Sequence, residues 1–89
     1  MSRAFVNEDA GGGPPRDFHL PPPKDPAFAA AAAAALLEGA RDGDTASAEE
    51  ATGYRWGEPA LASHVKRIML DAEARGDERL SQLARRFLG

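Results

Sequence analysis

Apolar positions recur every three or four residues through the C-terminal two thirds of the chain, and show no period before it. Leu61, Val65, Ile68 and Ala72 follow a 4-3-4 spacing, with Met69 widening the stripe. That is the seam of a helix packed nearly antiparallel to a neighbour. Leu80, Leu83-Ala84 and Phe87-Leu88 make a second apolar face at helical spacing. Between the two lies Arg75-Gly76-Asp77, in which Gly76 suits a left-handed C-cap and Asp77 an N-cap. The pattern predicts a helix from Glu58-Pro59 to about Arg75, another from Asp77 onward, and a tight antiparallel hairpin between them.

Upstream, Ala29 to Ala35 are consecutive alanines, the strongest helix formers. Asp25 as N-cap and Pro26 as first helical residue predict a helix from Pro26 to about Arg41, closed by Asp42-Gly43. Its predicted buried face is Phe28, Ala32, Ala35-Leu36 and Gly39. A shorter helix follows, starting at Asp44 or at Ser47, whose spacing to Glu50 fits a capping box. Gly53 ends it. Tyr54-Arg55-Trp56-Gly57 is a turn whose aromatics either plug the bundle end or stand exposed as a docking spot. The fold class is all-α, a small bundle of three to four helices over residues 26–89.

Residues 1–25 read differently. Of seven prolines, Pro14-Pro15 and Pro21-Pro22-Pro23 fall there, with Gly11-Gly12-Gly13. Prolines donate no backbone hydrogen bond and push the preceding residue out of helical space, so an extended, flexible Pro/Gly-rich leader is expected. Phe5-Val6 and Phe18-His19-Leu20 are apolar islands within it. They belong either to an untethered tail or to a motif that orders on a partner or along the domain's own surface.

Composition narrows the function classes. The chain has 89 residues, net charge −3 and no cysteine, which excludes a large catalytic core, a disulfide-stapled scaffold and a polybasic nucleic-acid binder. No run of apolar residues is long enough to span a bilayer, and Ala4-Phe5-Val6 is too short for a signal sequence, so a cytoplasmic protein is expected. Half of the apolar residues are alanine, which fills space but buries little area. Stability is then expected to be marginal, with a partner or a second copy of the chain (a homodimer) as the remedy.

The search for chemistry returns little. His19 and His64 have no second His or Cys at ligand spacing, so no metal or cofactor site is expected. Ser63 and His64 are helix neighbours whose side chains diverge by about 100°, which forbids a nucleophile–base pair. Lys66, Arg67, Arg75, Arg79, Arg85 and Arg86 are interleaved with Asp71, Glu73, Asp77 and Glu78, so direct nucleic-acid binding is not expected. Asp42, Asp44, Glu49 and Glu50 gather around the turn between the first two helices, as caps or as an electrostatic contact. The Gly43-Asp44 and Gly76-Asp77 pairs lie 33 residues apart, which fits a stacked helical-repeat peptide binder or, more simply, repeated cap chemistry.

Met1-Ser2-Arg3-Ala4-Phe5-Val6 with Glu8-Asp9 resembles the leader of bacterial Gre-like transcription factors, which bind RNA polymerase. Ala40-Arg41-Asp42-Gly43-Asp44, then Ser47, Glu49-Glu50 and Tyr54, is similar to the acidic hairpin tip of that family, whose acids help hold a catalytic magnesium ion. The resemblance implies RNA polymerase as partner and Asp44 with Glu49 or Glu50 as the matching acids. The family's Ser-Glu-Asn core, long coiled coil and sheet domain are missing. Taken together, the residues predict a small non-enzymatic interaction or regulatory module. Its expected partner-binding residues are Phe5, Val6, Phe18, Asp42, Asp44, Glu49, Glu50, Tyr54 and Trp56.

Overall fold

The alanine run forms the first helix, α1 (Phe28–Arg41), in a computed structural model that describes residues 18–89. Expectations for residues 1–17, Phe5 and Val6 among them, lie outside the described residues. Helix α1 starts two residues later than predicted. The Asp25 carboxylate accepts the Ala27 N–H at 2.8 Å, and its carbonyl accepts the Phe28 N–H at 2.9 Å. Asp25-Pro26-Ala27 is therefore a turn leading into the helix, and Ala27 is the N-cap without a side-chain bond.

The ends of the helices follow cap chemistry. Gly43 takes φ +72°, a left-handed conformation that a Cβ disfavours, and the Asp44 N–H then reaches back to the Gly39 carbonyl at 2.7 Å. Asp44 accepts the Ser47 N–H at 3.2 Å and opens α2 (Thr45–Thr52), so the earlier of the two predicted starts is the real one. Glu58 accepts the Ala60 N–H, and Pro59–Leu61 forms a single 3-10 turn before α3 (Ala62–Arg75). Gly76, at φ +78°, repeats the device of Gly43: the Asp77 N–H bonds the Ala72 carbonyl at 2.8 Å. The Asp77 carboxylate accepts the Leu80 N–H at 3.1 Å and opens α4 (Glu78–Leu88).

The result is an all-α globule of four helices, three long and one short. Helices α3 and α4 form the most extensive pair, the hairpin that their stripes predicted. Helix α1 packs against α2 on one side and against α3 and α4 on the other. That sandwich explains why Ala33 and Leu37 are buried alongside Ala32, Ala35, Leu36 and Gly39, a wider face than the one-sided prediction. Phe28, placed on that face, is only half-buried. Leu61 and Val65 are fully buried, each contributing about 1.5–3 kcal/mol. Leu88 departs from the predicted α4 face and is 38 % exposed. Ser81, two turns earlier on α4, is buried, and its hydroxyl donates to the Glu78 carbonyl at 3.0 Å.

Aromatic residues converge on the core from separate segments. Trp56 meets Phe87 edge-on, ring centroids 4.9 Å apart, and Tyr54 lies 6.4 Å from Phe28. Phe18 also packs against the core, although it was assigned to the leader. The helical body therefore gathers residues from before the predicted boundary at 25/26.

An ion pair links the α1–α2 turn to the α3–α4 turn: the Arg41 guanidinium reaches the Asp77 carboxylate at 3.3 Å. The bond from the Leu80 N–H chiefly holds the Asp77 carboxyl below its ordinary range; desolvation opposes it, and the charge and hydrogen bond of Arg41 and the charge of Arg75 add to the lowering. A lowered folded pKa means the contribution is present above the unfolded carboxylate value and is lost as pH falls through the folded one. Acid melts of Asp77→Asn should therefore show a shallower fall in stability across that window than the parent. Parallel curves would contradict this assignment.

Candidate functional site

The predicted site residues from 42 to 56 are strung along α2, with Glu49 and Glu50 in its second half and the others at or beyond its two ends. Asp42 and Asp44 sit at the α1–α2 turn, beside the C-terminus of α1. Tyr54 and Trp56 follow the C-terminus of α2, beside the start of α1. Eight helical residues, about 12 Å, separate them. Phe18 joins the core, and Phe5 and Val6 lie outside the described residues.

Within the acidic group the four carboxylates have different surroundings. Asp44 is half-buried and caps α2 through its bond to the Ser47 N–H. Glu49 is half-buried and accepts the Trp56 N–H at 2.8 Å, fixing the aromatic turn against α2. This bond spans seven residues and no local sequence signal announces it. Asp42 and Glu50 are exposed. Thr52, buried at the end of α2, donates to the Ala48 carbonyl at 2.8 Å and accepts the Tyr54 N–H at 3.1 Å. The turn after α2 is thus held by two side chains, from Glu49 and Thr52, so that Tyr54 and Trp56 lie against the core with part of each ring exposed.

The sequence reading missed a groove of about 300 Å³ between α1 and the α3–α4 hairpin. Ala34, Leu37, Ile68 and Leu80 line it, with Glu38 and Arg41 as its charged rim. Leu37 was the available signal, since it lies off the predicted face of α1 and a Leu there needs an apolar neighbour. Near the α3–α4 turn a second, polar depression of about 390 Å³ is crossed by the Arg85–Glu73 ion pair at 2.6 Å.

Among the described residues, no group of three or more His, Asp or Glu is arranged to hold a metal ion, and no helix is long and apolar enough to cross a membrane. Fold and site together define a small helical-bundle protein. No known protein family, curated protein or solved structure matches the chain.

Proposed function

We propose that this protein is a non-catalytic interaction module that presents the acids of the α1–α2 turn and of α2 to a basic surface of a protein partner. The observation that carries the reading is the division among the four acids. Asp44 and Glu49 accept backbone N–H groups at 3.2 and 2.8 Å, while Asp42 and Glu50 are exposed residues beside them. Exposed charges favour electrostatic recognition and fast, salt-sensitive association. Two inward-turned acids are a poor start for a magnesium site, so recognition is favoured over transcript-cleavage chemistry. The resemblance of the leader and of this turn to Gre-like factors makes RNA polymerase the first partner to test.

Purified RNA polymerase, titrated with the full chain, should bind it, and doubling the salt should weaken binding. Asp42→Lys with Glu50→Lys should reduce affinity at least about tenfold, the scale of removing two favourable rim charges. Equal binding by the parent and the double variant would contradict the contact. No binding by either would contradict RNA polymerase as partner.

A further inference from the structure

Among the described residues, the large apolar side chains left exposed are Leu70, at 54 %, and Leu88, at 38 %. Both belong to the α3–α4 hairpin. Arg85 meets Glu73 across that hairpin at 2.6 Å, on the side away from the groove against α1. Antiparallel helices advance in step, so Leu70, three residues before Glu73, and Leu88, three after Arg85, stand level with each other one turn nearer the open end. We propose that this outer face is the interface of a twofold dimer, in which the leucines of one copy pack on those of the other.

The chain itself shows what covers such a position. Leu70 stands six residues before Gly76, as Leu37 stands six before Gly43. Leu37 is buried where the α3–α4 hairpin lies over α1. On α3 the matching leucine has no further hairpin over it among the described residues, and a second copy supplies one.

Charge fits a second copy and sets its direction. On the open-end side of the leucines stand Lys66 and Arg67, exposed and without an ion pair among the described residues. On the turn side lies the polar depression of about 390 Å³, with Glu73, Asp77 and Glu78 in its lining. Arg85 and Arg41 already pair with Glu73 and Asp77, which leaves the exposed Glu78 as the uncompensated charge. A twofold axis through the leucines lays the Lys66-Arg67 end of each copy over the Glu78 end of the other. Stacking the copies the same way round lays like charge on like. Self-complementarity under a twofold is what an isologous dimer requires.

Distance and area agree with a weak pairing. Lys66 is four residues from Leu70 and Glu78 ten from Leu88, about 6 and 15 Å along the hairpin, a difference that their extended side chains bridge. Two packed helices are about 20 Å wide and α3, of 14 residues, is about 21 Å long, so each copy offers a footprint on the order of 400 Å². That is about half of a standard interface, which makes the dimer weak and concentration-dependent. The pairing uses none of the acids of α2 and stands apart from the contact proposed above.

Sedimentation equilibrium of the full chain, from micromolar to millimolar concentration, should show a mass rising toward twice that of the chain. Leu70→Asp should abolish the rise, and its melting temperature in dilute solution should stay near the parent value, because the side chain is more than half exposed. Lys66→Glu and Glu78→Lys should each weaken dimerisation at least about tenfold, while an equal mixture of the two should dimerise as the parent does. Within one chain these residues lie toward opposite ends of the hairpin, so recovery on mixing reports a contact between copies. A parent that keeps the mass of one chain throughout, a Leu70→Asp variant that dimerises normally, or a mixture that stays dissociated would overturn the proposal. So would a mass that climbs past two chains.

Discussion

Phe87→Ala should lower the melting temperature by about 15 °C or more. The ring is 4 % exposed and fills the end of the core where α4 meets α1. Truncating a buried Phe costs about 3–5 kcal/mol through lost transfer energy and the cavity left behind. The edge-on contact with Trp56 at 4.9 Å adds about 0.5–1.5 kcal/mol. In a small domain each kcal/mol moves the midpoint by about 4–8 °C. Trp56 is the only Trp in the chain, so its fluorescence reports both the local loss and the global transition. Phe87→Leu, which keeps most of the volume, should lose markedly less. A Phe87→Ala midpoint within a few degrees of the parent would show that the aromatic end does not hold the bundle.

Gly39→Val is the second large effect, by the opposite mechanism. A Cβ at Gly39 would stand 2.8 Å from the Ala48 Cβ and 2.9 Å from the Asp44 carbonyl oxygen. The second neighbour is backbone and belongs to the turn that also accepts the cap bond, so it has no rotamer to swing away. Overpacking of this kind costs about 1–3 kcal/mol, and a branched side chain against backbone belongs at the upper end. The gain in helix propensity over Gly offsets only a few tenths of a kcal/mol. Adding Ala48→Gly should recover part of the loss, because it removes one clash and leaves the carbonyl. Full recovery would mean that the backbone contact is unimportant, and no loss at all would mean that α1 and α2 do not approach this closely.

These two residues also mark how far the sequence could be read. Gly39 and Ala48 are small residues facing each other across a turn that Gly43-Asp44 announces, and 33 residues later Ala72 and Ser81, both buried, hold the same positions about a turn closed by the same backbone bond, from the Asp77 N–H to the Ala72 carbonyl. The shared spacing therefore reflects one linking device used twice. Caps and hairpins are local, which is why Asp44, Asp77, Gly43 and Gly76 were legible.

What was not legible is set by distant partners. Leu37 and Ala33 are buried because α1 is covered on two sides, and a single stripe cannot show that. Ser81 sits in the core as a polar residue whose hydroxyl is satisfied within its own helix, where a hydropathy pattern reads a gap. Asp25 looked like the cap of α1, but its carboxylate bonds the N–H two residues on and forms a turn instead. For the candidate site, the four acids could be named from the sequence, but not what each of them bonds. Their division into inward and outward pairs was not legible, because it turns on the Glu49 bond to the Trp56 N–H.

That division is the centre of the account, and one paired comparison tests it directly. Melting temperature and RNA polymerase affinity should be measured side by side for Asp44→Ala with Glu49→Ala, and for Asp42→Lys with Glu50→Lys. The inward pair should lower the melting temperature, since losing the cap alone costs about 0.5–2 kcal/mol. The outward pair should leave melting near the parent value and weaken binding. An outward pair that melts early while binding normally would contradict the account.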